Sequence, residues 1–96
     1  MNSPEVITNY LDRKIAKYTS PANKYIAELL EGVKTCETGN VKVYLPITED
    51  LDDIVSLIWH EIGDMLLDIE CYPIDGEYCI DVIFGGDYVP FWDGRE

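Results

Sequence analysis

A chain of 96 residues, 47% of them hydrophobic, fills one modest core and leaves little room for a deep substrate cleft. No apolar stretch approaches the roughly 18–20 residues of a bilayer span, and a mean hydropathy of -0.09 argues against disorder. A net charge of -12 with a pI near 4.2 disfavours direct contact with nucleic acid, which needs a basic patch to neutralise phosphate.

The first residues, Met1-Asn2-Ser3-Pro4-Glu5, lack the basic start and apolar run of a signal peptide, so the expected location is the cytoplasm. Ser3-Pro4 reads as an N-cap followed by proline at the first helical position. Val6, Ile7, Tyr10, Leu11, Ile15 and Tyr18 follow at helical spacing and predict a helix over 4–18. Ser20-Pro21 stops that helix and opens another. Ala22, Tyr25, Ile26, Leu29, Leu30 and Val33 carry it over 21–35, so the two should form a helical hairpin.

After the turn Thr38-Gly39-Asn40, residues 41–47 alternate with period two. Val41, Val43, Leu45 and Ile47 are expected inward, Lys42 and Tyr44 outward, and Pro46 marks an edge. Thr48 is the expected cap of a third helix over 49–67, with Glu49 and Asp50 in its first turn. Its apolar stripe, Leu51, Ile54, Val55, Ile58, Ile62, Met65, Leu66 and Ile69, makes it the expected central packing element.

Asp75-Gly76 between two β-rich runs predicts a two-residue hairpin over 69–84. That turn opposes Ile74 to Glu77, Tyr72 to Cys79, and Glu70 to Asp81. Ile69, Cys71, Tyr78, Ile80, Val82 and Phe84 should then point inward. Glu70, Tyr72, Ile74, Glu77, Cys79, Asp81 and Ile83 should point outward. An aromatic tail, 87–96, completes a single α+β domain of order α-α-β-α-β-β, with a three-stranded, mainly antiparallel sheet packed against helices.

The charge is not evenly spread. Residues 1–45 hold five acids and six bases, a sum of +1, whereas residues 46–96 hold fourteen acids and one base, a sum of -13. A one-signed field repels the compact state and usually serves to steer a partner of opposite charge. Asp50, Asp53, Glu61, Asp64 and Asp68 fall near one stripe of the third helix, with Leu57 and His60 completing it. On the outward hairpin face Glu70, Glu77 and Asp81 stand beside Tyr72 and Ile74, where acids would steer and apolar groups would anchor. Trp92 in the tail is a further candidate anchor.

Catalytic machinery is not expected. His60-Glu61 begins like a zinc-protease motif, but Asp64 stands where the second histidine belongs, and His60 is the sole histidine. No nucleophile motif surrounds a serine or thiol, and Gly85-Gly86 alone is not a phosphate loop. Three cysteines at 36, 71 and 79 make no disulfide framework, and no calcium-loop spacing occurs. No metal and no cofactor is therefore expected.

In size, acidity and lack of catalytic chemistry the chain is similar to small acidic inhibitors of phages and mobile elements: anti-CRISPR proteins, restriction inhibitors, and immunity proteins that cap basic nuclease toxins. That likeness transfers no residues. The expected function is inhibition of a larger protein with a basic, nucleic-acid-binding surface, in the manner of a DNA mimic. The candidate partner-binding residues are Asp50, Asp53, Glu61, Asp64, Asp68, Glu70, Tyr72, Glu77, Asp81 and Trp92. The alternatives are an interaction subunit anchored by exposed aromatic residues, a toxin-immunity protein, a hard-cation site, or a surface that only aids solubility. Direct nucleic-acid and membrane contacts are not expected, and a second copy of the chain is a further possible partner.

Overall fold

The Ser3 hydroxyl accepts a hydrogen bond from the Val6 amide at 3.3 Å and starts α1, Pro4–Ile15. Glu5 in its first turn and Arg13 and Lys14 in its last complement the helix dipole. The structure, a computed structural model, describes residues 3–92. It has the expected element order, continuing with α2 (Lys24–Lys34), β1 (Asn40–Pro46), α3 (Leu51–Ile62), β2 (Leu66–Ile74) and β3 (Glu77–Phe84).

Helix α1 ends three residues before the expected position. Lys17 and Tyr18 bond back to Lys14 and Ile15, and this tightening turns the Tyr18 ring into the core. Its hydroxyl donates to the Glu61 carbonyl at 3.5 Å. A 3-10 turn over Pro21–Asn23 leads into α2, which buries Tyr25, Ile26, Leu29, Leu30 and Val33. Helix α2, not α3, is thus the central packing element. It lies directly on the sheet at Gly32, where an added Cβ would sit 2.6 Å from Val41 Cγ1.

The three strands form an antiparallel sheet of order β1-β3-β2. Val41, Val43 and Leu45 of β1 are buried as expected. Ile47 is not: the chain turns at Pro46, whose carbonyl accepts from the Glu49 amide, and Ile47 lies beyond the ladder, 51% exposed.

The cap of α3 is Asp50 and not Thr48; its carboxylate accepts from the Asp53 amide at 3.2 Å. Asp52 and Asp53, rather than Glu49 and Asp50, occupy the first turn. The helix stops at Ile62, five residues short of the expected end, and buries only Ile58 and Ile62. Gly63, a weak helix former, opens a 3-10 turn through Met65. Leu66 then turns extended and pairs with Phe84. Met65 and Leu66 are buried, but from the turn and the strand.

The β2-β3 register is the predicted one, with Ile74 opposite Glu77, Tyr72 opposite Cys79 and Glu70 opposite Asp81. Asp75 and Gly76 have φ of 50° and 81°, the double positive that matches a tight hairpin to the twist of its strands. A bulge at Leu67 begins β2. Ile80, Val82 and Phe84 face the helices and are buried with Ile58, Ile62 and the α2 stripe.

Two cysteines exchange their expected burial. Cys71 points toward the helix side but sits on the outer strand beyond full cover and is exposed. Cys79 points to the face opposite the helices yet is 0% exposed. It lies on the central strand, directly between Tyr44 of β1 and Tyr72 of β2. All three cysteines are free thiols.

After β3 the chain passes through a 3-10 turn, Gly86–Tyr88, and returns to the helix side. The Tyr88 ring lies 6.1 Å from that of Tyr10, and Val89 is fully buried. Through Trp92 the tail leaves the opposite sheet face uncovered. The expected tail residues 93–96 lie outside the described residues. No helix among the described residues is long and apolar enough to cross a membrane.

Candidate partner-binding surface

Side chains alternate across a strand, and neighbouring strands lie about 4.8 Å apart. The register therefore sets the uncovered sheet face as a grid of four rows. The first is Asn40, Ile83, Asp68; the second is Lys42, Asp81, Glu70. The third is Tyr44, Cys79, Tyr72; the fourth is Pro46, Glu77, Ile74. Rows are about 6.8 Å apart along a strand. Four carboxylates face one cation, Lys42.

Glu70 and Asp81 stand directly opposite each other, an unfavourable pair of like charges. Asp81 is the better supported of the two. It lies across β3 from Lys42 and accepts a hydrogen bond from the Asn40 side-chain amide. Glu70 is exposed, and among the described residues no ion pair involves Asp68, Glu70, Glu77 or Asp81. The Asp68 carboxylate accepts from the Ile69 amide at 2.9 Å.

Apolar surface stands among these acids. Tyr44 is 49% exposed, Tyr72 37% and Ile74 42%. Hydrogen bonding to Cys79, then burial, then nearby negative charge push the Tyr72 phenol up to about 12.

The α3 stripe is shorter than expected and lies elsewhere. Asp50 caps the helix and Asp64 follows its end in the 3-10 turn, while Asp53 and Glu61 remain on it, with Leu57 half-buried between them. Asp68 does not, because the helix has ended and Asp68 belongs to the sheet grid. Burial first, then the hydrogen bond to Glu61 and the charges of Glu61 and Asp64, raise the Tyr18 phenol. The hydrogen bond places Glu61 against the α1–α2 connection. Helix α3 packs through Ile58 and Ile62 on the face that carries Ile80 and Val82, so the sheet separates the helical acids from Asp68, Glu70, Glu77 and Asp81. The candidate residues form two surfaces on opposite sides of the molecule.

Trp92 joins neither. It is half-buried against the core, its ring lying so close over Gly86 that a Cβ there would overlap it. With Asp64, Leu67 and Tyr88 it lines a groove of about 420 Å³. The exposed tail aromatic is Phe91.

Sequence reasoning did not name Tyr44 as a site residue. The alternation of β1 shows that it points outward, but only the β1-β3 pairing places it opposite Cys79, in one row with Tyr72. Trp59 and Leu67 are likewise exposed, Leu67 because the bulge turns it out of the ladder.

His60 is exposed, and its contact is the Glu61 carboxylate at 3.8 Å. No group of three potential metal ligands occurs among the described residues. No protein-family model matches the chain, and neither a curated protein nor a solved structure matches it.

Proposed function

We propose that this chain is a non-catalytic, protein-binding inhibitor that uses its uncovered sheet face to occupy a basic, nucleic-acid-binding surface of a larger protein. A defence protein or nuclease, such as a CRISPR effector, is the kind of partner this fits. The observation that carries the reading is the grid of four carboxylates and one lysine around exposed Tyr44, Tyr72 and Ile74, on a face that no described element covers. A fixed array of carboxylates on a sheet presents charge to a protein much as a nucleic-acid backbone presents phosphate. Partners that neutralise phosphate with Lys and Arg are complementary to it.

The opposed acidic surfaces make the reading separable from a general effect of net charge. Asp81→Lys alters the sheet face and Asp64→Lys the helix side by the same two charge units. Tested against a panel of nucleic-acid-cleaving proteins, inhibition should weaken with rising salt and fall at least tenfold in Asp81→Lys. It should change much less in Asp64→Lys. Equal inhibition by wild type and Asp81→Lys refutes the sheet-face model. A second reading, an interaction subunit anchored through Tyr72 and Ile74, rests on their exposure at 37% and 42%. Binding that ignores salt but collapses on Ile74→Ala would favour it.

A further inference from the structure

We infer that the sheet face selects arginine over lysine, seating a partner guanidinium on the Tyr44–Tyr72 pair beside Glu70 and Asp81. This rests on the reading that the face receives a basic partner, and it specifies that partner's chemistry.

The two tyrosines flank Cys79 in one row; Cys79 is 0% exposed while they keep 49% and 37% of their own surface in solvent. Tyrosines this exposed offer aromatic surface to an approaching group. Carboxylates border this aromatic row on both sides. Glu70 precedes Tyr72 on the same face of β2, while Asp81 and Glu77 flank Cys79 on β3. A stacked cation is therefore within about one 6.8 Å step of carboxylate oxygens in either direction. A guanidinium is planar and weakly hydrated, so it can stack on an aromatic ring and donate a fork of hydrogen bonds at its rim. An ammonium is a compact, strongly hydrated point charge and gains less from the ring.

Other occupants fit less well. A second copy placed face to face would set four carboxylates and one lysine against the same set, a like-signed contact. An added strand at the free side of β2 meets an edge already blunted. The Ile69 amide is taken by the Asp68 carboxylate, and Pro73 has no amide to give. For an occupant lying across the face, charge complementarity points to an arginine-bearing segment.

The test compares two peptides of equal length and charge, four arginines or four lysines alternating with glycine. Each is titrated into the full chain at low ionic strength by calorimetry and amide chemical-shift mapping. The arginine peptide should bind about fivefold more tightly, with shifts centred on residues 42–44, 70–72 and 79–81. Tyr44→Leu with Tyr72→Leu should bring it down to the affinity of the lysine peptide. Equal affinities of both peptides for the wild-type face would overturn the arginine inference and leave the basic-partner reading standing. Shifts confined to α3, or no binding by either peptide, would overturn both. The native-chain comparison decides the matter even where the double variant fails to fold.

Discussion

Glu70→Lys should stabilise the fold while weakening its interaction with a basic partner. Glu70 sits directly across the ladder from Asp81, at the separation where opposite side chains interact, about 5 Å between Cβ atoms. Cross-strand charge pairs contribute roughly 0.2–1 kcal/mol, with like charges unfavourable by similar amounts. Reversing one partner exchanges a repulsion for an attraction. After allowance for exposure, the gain should be about 0.5–1 kcal/mol. For a domain of this size that corresponds to a rise in Tm of roughly 2–8 °C. Thermal and urea unfolding of both proteins, at low salt and near 1 M salt, reads the effect. The gain should shrink at high salt, where the screening length falls to about 3 Å. A variant less stable than wild type at low salt, or a gain indifferent to salt, would refute the opposition of these two carboxylates. A gain together with lost partner binding would identify the like-charge pair as a stability cost retained for recognition.

Two further outcomes follow from the packing. Gly32→Ala gains about 1 kcal/mol of helix propensity, but its methyl meets Val41 Cγ1 at 2.6 Å. Overpacking of this kind costs roughly 1–3 kcal/mol, so the urea midpoint should fall; a rise would mean that α2 can lift off β1 freely. At alkaline pH, Tyr72 binds its proton more tightly folded, with a pKa near 12, than at the ordinary 10 of an unfolded chain. Its contribution is complete below pH 10 and declines as pH rises from 10 through 12. Tyr72→Phe should therefore flatten the alkaline loss of stability and remove the last-titrating tyrosinate from the near-ultraviolet absorbance curve. Retention of that late step would assign it to Tyr18 or Tyr88, whose phenols are also raised, chiefly by burial.

The features readable in the sequence are those set by neighbours along the chain. Asp75-Gly76 determines both hairpin strands and their register, because a two-residue turn leaves one way to pair them. Ser3-Pro4 marks the start of α1 for a similar local reason. The end of α3 was not readable. Met65, Leu66 and Ile69 continue the i, i+3, i+4 rhythm, yet Leu66 is claimed by pairing with Phe84, 18 residues on. The cysteines show the same limit. Alternation assigns Cys71 inward and Cys79 outward, but burial depends on what lies above each. Cys79 is flanked by Tyr44, which arrives from 35 residues earlier. The acidic half likewise reads as one surface along the chain and becomes two once the sheet is interposed between α3 and the outer grid.

The central place of β3 bears on how the chain folds. Both other strands pair with β3 and not with each other, although β3 follows both in the chain. Its pairing with β2 closes a two-residue loop and can form within microseconds. Its pairing with β1 joins Asn40 to Ile83 and must close a loop enclosing α3 and all of β2. That closure is slower on entropic grounds. During synthesis β1 therefore waits, with its Val41, Val43 and Leu45 face against α2, until Phe84 emerges. Any truncation before Phe84 removes part of the strand that both others require.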